Sequence, residues 1–172
     1  MPLPDLIATE RLTLPLWTSA DVASIRGRGL RQRGWHADFP RRDDIDAASM
    51  WRDGDVWGPR SITRGVTVLG SVGFFGPPED VDGVQETEIG YGLVREACGW
   101  GFATEAVRAM VAAAEAEGVR IRASVEPTNA ASVKVLAKAG FTQLREATPD
   151  GLLVMVRPFG GVGRPSGQTA PE

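Results

Sequence analysis

Residues Ala97 to Met110, ACGWGFATEAVRAM, place Gly99 and Gly101 on either side of Trp100, immediately before an alanine-rich helical pattern. Glycines at that spacing keep side chains off the backbone, so an anion can approach it closely. The free N–H groups of the first helical turn, Gly101 to Thr104, then point at the anion from the positive end of the helix dipole. The Thr104 hydroxyl adds a donor. This is phosphate-binding chemistry. A tight strand-to-helix turn with no ligand is the competing reading, since glycine turns are common. No Gly-Lys-Ser/Thr follows, and a third glycine is missing, so neither a P-loop nor a dinucleotide fingerprint is present.

Such a turn needs a strand before it and a helix after it. Gln85–Val94 reads as the strand, with Ile89, Tyr91 and Leu93 on one face and Glu86 and Glu88 on the other. The helix carries Ala103, Val107, Met110, Val111 and Ala114 on one stripe and stops at Gly118. Upstream, Arg11–Trp17 alternates as a first strand, and Pro15 suggests a sheet edge. Thr18 or Ser19 can cap a short helix that Gly27 or Gly29 stops. Arg41–Gly54 gives a second helix, with Ile45, Ser49 and Trp51 or Arg52 at near-helical spacing. From Arg60 two strands form a hairpin, the second over Val66–Phe75, followed by a turn-rich loop at Gly76–Gly83. Downstream come a strand at Arg120–Val125 and a helix at Asn129–Gly140 with Val133, Leu136 and Ala137 inward. Two closing strands then flank Pro149–Gly151. The sum is a mixed α/β layer in one domain over residues 1–158, with 159–172 lacking any core pattern and expected to be a mobile tail.

The chain has a net charge of -3, which argues against a general nucleic-acid binder. One cysteine, Cys98, and one histidine, His36, exclude an intramolecular disulfide and a usual zinc site, so no metal is expected. The N-terminus has no secretory pattern and no apolar run is long enough to span a membrane, so the expected setting is the cytoplasm.

Residues Cys98 to Ala103 resemble motif A of the GNAT superfamily of acyl-CoA-dependent N-acyltransferases, with Cys98 where that motif leads with a basic residue. TERLTL (Thr9–Leu14), EIGYGL (Glu88–Leu93) and NAASVKVLAKAGF (Asn129–Phe141) are similar to segments of its RimJ/RimL-like branch. The resemblance runs from Thr9 to about Arg157. It implies a mostly antiparallel twisted sheet of six to seven strands, about four helices and a splayed parallel strand pair, here Glu88–Val94 and Arg120–Val125. It also implies acetyl-CoA as co-substrate and an amine as acceptor, with room for a homodimer. Val94, Gly99, Trp100, Gly101, Phe102, Ala103, Thr104, Asn129 and Ser132 would then hold the coenzyme. Ser132 would donate to the leaving thiolate, or be an ordinary backbone-bonded helix serine. Asn129 would serve equally as a helix N-cap. Glu88 is the first choice of base and Glu86 the second, its like charge raising the pKa of Glu88; fold-holding strand carboxylates are the alternative. A glutamate that some members carry five residues before the asparagine is Ser124 here. Tyr91 reads as core, Lys134 and Lys138 as solvated helix charges, and Cys98 as a small loop residue rather than a nucleophile. Trp35, His36, Phe39, Trp51 and Trp57 fall in the segment that would roof the acceptor site, and Trp35, His36 and Glu86 are its pocket candidates.

Three functions compete: an N-acetyltransferase acting on a protein N-terminus or small amine, a catalytically weak acyl-CoA-binding or sensing domain, and an aminoglycoside-modifying enzyme. The run Asp38, Asp43, Asp44, Asp46, Asp53 and Asp55 permits the third, although solvated acidic surface explains such a run as well.

Overall fold

Apolar alternation in the middle of the chain builds a sheet around one long strand, β6 (Val84–Leu93). The computed structural model describes residues 2–160, and the part of the expected tail from 161 onward lies outside the described residues. Ahead of β6 come β1 (Leu6–Ala8), β2 (Thr13–Pro15), helix α1 (Ser19–Ile25), helix α2 (Arg42–Ser49), β3 (Arg60–Arg64), β4 (Thr67–Phe74) and β5 (Glu79–Val81). After it come a 3-10 turn (Arg95–Ala97), α3 (Phe102–Ala116), β7 (Arg120–Val125), α4 (Ala130–Lys138), β8 (Gln143–Arg145) and β9 (Leu153–Val156).

The sheet runs β1-β2-β3-β4-β6-β7-β9-β8, with β5 paired to β6. Every pairing is antiparallel except β6 with β7. Nine strands replace the expected six to seven. The extra ones, β1 and β5, are three-residue strands whose own sequence carries too little alternation to reveal them. β2 lies between β1 and β3, so Pro15 does not mark an edge. It is tolerated because β2 registers with β3 only at Thr13↔Thr63.

Local chemistry sets the helix ends as expected. Thr18 caps α1, its hydroxyl accepting from the Asp21 N–H. Gly27 (φ +73°), Gly118 (φ +77°) and Gly140 (φ +90°) turn the chain beyond α1, α3 and α4. α3 buries Phe102, Ala106, Val107, Met110, Val111 and Ala114 against the sheet, so Ala106 takes the core place expected of Ala103. In α4 only Leu136 is fully buried. Arg60, fully buried, donates to the carbonyls of Asp5, Leu14 and Val56 and so pins the N-terminal hairpin to β3.

Helix α2 inverts the expected pattern: Asp44 is fully buried and Ile45 is exposed. The Asp44 carboxylate accepts from the Ser71 hydroxyl at 2.5 Å, from Arg41 Nε and Nη2 at 3.1 Å each, and from the Arg41 N–H at 2.8 Å. A buried carboxylate is stable only with such partners. Asp44→Ala is expected to destabilise the protein by about 3–5 kcal/mol, since it leaves the half-buried Arg41 with only the long contact to Asp43 and orphans the Ser71 hydroxyl. Urea unfolding checks this; a loss below about 1 kcal/mol contradicts it.

Candidate functional site

β6 divides into two halves. Residues 84–86 pair with β5 and 86–88 with β7, the latter through Glu86↔Arg120, Thr87↔Ile121 and Glu88↔Arg122. Residues 89–93 pair only with β4, on the other edge. The edge of β6 that faces β7 is therefore unpaired beyond Glu88, and Val125 and its neighbours in β7 pair only with β9. A cavity of about 850 Å³ opens there, bounded by Ser71–Pro77, Glu86–Tyr91, Arg122–Glu126, Asn129, Ser132 and the end of α2. Backbone N–H and C=O groups on an open strand edge can bind an extended ligand as a further strand would.

At the closed end of the splay sits Glu86, fully buried, with Arg120, Arg122 and Arg145 all bonded to its carboxylate. Burial pushes its pKa up, but the hydrogen bonds from Arg145, Arg122 and Arg120 more than reverse this and hold it at about 2. Glu86 is thus a clasp between β6, β7 and β8. It lines the cavity, but its oxygens are taken up by three arginines and its lowered pKa makes it a poor proton acceptor, which argues against the second-choice base. Glu88, two residues on, keeps one oxygen 3.8 Å from Arg122 Nη2 and is part-exposed to the cavity.

On the other side of the open edge the Tyr91 hydroxyl lies 2.7 Å from Ser132 Oγ and 3.3 Å from the Ser132 carbonyl. Burial raises the Tyr91 pKa, opposed by the bond to Ser132, and the net direction is up. Tyr91, expected in the core, is therefore a protonated hydroxyl at the cavity wall. Asn129 caps α4, its side-chain oxygen accepting from the Ser132 N–H at 3.1 Å, and so fixes the turn that carries Ser132.

The cavity's remaining wall comes from residues the sequence did not single out. Phe75 rests on Gly90, and the Arg41 guanidinium rests on Gly92; a Cβ at either glycine would collide with them. The signal was present as Gly90-Tyr91-Gly92: two glycines on one face of a strand mark a close approach by something else.

The glycine turn lies outside this cavity's lining. Gly99 and Gly101 both take left-handed φ, +85° and +82°, and Gly101 is the N-cap of α3. A side chain at Gly99 would meet open space, so the backbone there is bare toward solvent. The turn thus fits an anion, and the open edge fits an extended arm, the two parts of coenzyme A. Trp100 is exposed at its tip, Phe102 is buried beneath it, and Ala103 and Thr104 are half-buried in the first turn. Val94 is buried, its N–H donating to the Leu69 carbonyl and its carbonyl accepting from the Ala97 N–H, so its main chain is engaged in holding the turn. Cys98 is exposed, with its sulfur 3.6 Å from the Val94 carbonyl.

Trp35 and His36, expected at the acceptor pocket, do not line this cavity. Trp35 bridges to Val68 and packs edge-on against Phe39, and His36 Nε2 meets Glu96 at 2.9 Å. Pairing with Val68, at the start of β4, and with Glu96, in the 3-10 turn, holds them away from the part of β4 that lines the cavity. Trp51 does line it, at the end of α2. Among the described residues no group of three or more His, Cys, Asp or Glu is arranged to hold a metal, and no helix is long and apolar enough to cross a membrane.

The model of the acetyltransferase (GNAT) domain matches residues 11–142. No curated protein matches the chain by sequence. Among solved structures, an acetyltransferase from Agrobacterium tumefaciens strain C58 is 23% identical, with 92% of this chain and 96% of that one covered and a TM-score of 0.60. Mycobacterium smegmatis RimJ in complex with CoA-disulfide is 20% identical, covering 89% and 87%, with a TM-score of 0.59. AAC(6')-Ib in complex with paromomycin and acetyl-CoA is 22% identical, covering 86% and 93%, with a TM-score of 0.60. At these identities the likeness is one of fold.

The Glu86 clasp has a pH signature. Its folded pKa lies below its unfolded value of 4.5, so its contribution is present above pH 4.5 and is lost as pH falls toward about 2. Glu86→Gln is expected to lower stability at pH 7 and to flatten the loss of stability between pH 4.5 and 2. Urea midpoints across that range read this out; an unchanged acid slope contradicts it.

Proposed function

The chain belongs to the acetyltransferase (GNAT) family, and on that premise we propose that it moves an acetyl group from acetyl-CoA directly to a primary amine carried on a small, cationic acceptor. The observation that carries this reading is the single cavity in which Glu88 and the Tyr91–Ser132 pair flank the unpaired edge of β6. Acetyl-CoA supplies an activated thioester. The open β6 edge binds the pantetheine arm and orients the thioester carbonyl through main-chain groups. Glu88 takes the proton that the amine must lose, directly or through one water. As the N–C bond forms and the C–S bond breaks, Ser132 Oγ gives its proton to the departing sulfur. Tyr91, hydrogen-bonded to Ser132 Oγ, returns a proton to it and regains one from solvent, while Glu88 releases the amine's proton to solvent, so that both groups end as they began.

A cationic acceptor is supported by the wall of the cavity. Asp43, Asp46, Asp55, Glu79, Glu88 and Glu126 line it. Its arginines are Arg41, Arg52 and Arg122; Arg41 and Arg122 are bonded to Asp44 and Glu86 and reach Asp43 and Glu88 only at 3.7 and 3.8 Å, so the acidic side chains of the wall outnumber its cations. A negative, partly enclosed wall concentrates and orients positive ligands. The likeness to the aminoglycoside-bound AAC(6')-Ib supports an acceptor of this type.

Thiol release on mixing with acetyl-CoA and paired basic and neutral amines tests the proposal. Turnover is expected with the basic members. Tight acetyl-CoA binding with no thiol release for any amine would leave a sensing domain instead. Ser132→Ala is expected to lower kcat by about 10-fold to 10³-fold with little change in acetyl-CoA affinity. Full kcat in that variant would make the serine structural. Glu88→Gln is expected to depress kcat/KM and remove the acidic limb of the pH–rate profile; a limb that stays in place belongs to the amine.

A further inference from the structure

Two arginines distant in sequence meet at the turn that opens α3. The Arg11 guanidinium carbon lies 4.6 Å, and that of Arg64 5.0 Å, from the centroid of the Phe102 ring. Phe102 is the first residue of α3, directly after Gly101. Arg11 Nε bonds Glu105 at 2.7 Å and its Nη1 bonds the Trp100 carbonyl at 2.9 Å. Its Nη2 has no acceptor among the described residues and is the only heavy atom within 4 Å of where a Cβ on Gly101 would sit, at 3.3 Å. Arg64 is exposed, and its side chain makes no ion pair or hydrogen bond among the described residues. Two cations therefore lie beside the positive end of a 15-residue helix, where one carboxylate, Glu105, is bonded to Arg11 alone of the two. Like charges gathered this way repel, and the dipole adds to the repulsion. A bound anion relieves both.

We propose that Arg11 and Arg64 supply the guanidinium contacts for the diphosphate of coenzyme A, acting with the first-turn N–H groups of α3 and taking the place of the basic residue that Cys98 replaces in the turn itself. The inference rests on the acyl-CoA reading above. Guanidinium suits the task because its planar fork matches phosphate oxygens and keeps its charge at any working pH. The two side chains divide the work. Arg11 is held rigidly by Glu105 and the Trp100 carbonyl and offers Nη2 at the N-cap. Arg64, free of carboxylates, closes from the β3–β4 hairpin.

Calorimetric titration of the full chain with coenzyme A, dephospho-coenzyme A and pantetheine tests this. Arg64→Ala is the informative variant, since Arg64 is exposed and its loss breaks no hydrogen bond. It is expected to weaken coenzyme A and dephospho-coenzyme A alike, by about 10-fold, and to leave pantetheine unaffected. Arg64→Lys is expected to recover part of the loss, and Arg64→Glu to exceed it. Unchanged affinity in Arg64→Ala overturns the proposal. So does a loss seen with coenzyme A and absent with dephospho-coenzyme A, which would assign the arginine to the 3'-phosphate. If the unaltered protein binds no coenzyme A, the acyl-CoA reading fails with it; if it binds and the arginine variants bind equally well, only this inference fails.

Discussion

One carboxylate holds the site open by holding it shut elsewhere. Glu86 ties Arg120 and Arg122 of β7 and Arg145 of β8 to the start of β6. Parallel pairing of β6 with β7 lasts only three residues around this clasp, and the strands separate beyond it. A short parallel contact has few ladder bonds of its own, and such pairing is slightly weaker per residue than antiparallel. The ion cluster therefore fixes where the two strands meet, and so where the unpaired edge begins. Because the carboxylate is buried and fully bonded, its geometry is narrow, and its loss would leave three guanidiniums gathered without the anion they share.

A second buried carboxylate does the same for the opposite wall. Asp44 draws Arg41 and Ser71 together and so seats the start of α2 against β4. The guanidinium it orients rests on Gly92, as Phe75 rests on Gly90. The bare positions of β6 are thus occupied from outside, and the cavity's width depends on glycines that contribute no side chain to it.

Much of this was legible in the sequence. The β3–β4 hairpin, β6, α3, β7 and α4 follow from period and from glycine stops, and the caps at Thr18 and Asn129 follow from side-chain chemistry. The pairing of Glu86 with arginines was half-visible: Arg120 and Arg122 alternate with Ile121 and Ala123, so they share a face. Arg145 was not visible, because it arrives from a strand 59 residues away from Glu86. Strands β1 and β5 are stabilised by neighbours and carry no local pattern. Asp44 contradicted hydropathy because two partners from different elements compensate its burial. Trp35 and His36 lie near Trp51 in sequence, but pairing with Val68 and Glu96 sets them apart from the cavity that Trp51 lines.

Thr9 and Arg11 reach Glu105 and the Trp100 carbonyl across separations of 89 to 96 residues. The glycine turn is therefore not a self-contained motif. Its own residues are contiguous, but the bonds that fix it close a loop of more than half the described chain, and closing a loop of that length costs entropy that local contacts cannot recover. In folding, such contacts come late relative to hairpins and helices. The segment that forms α3 can be complete while the turn before it still lacks its N-terminal partners. The order of assembly thus makes the first dozen residues the last fastening of the turn, although they are the first residues of the chain.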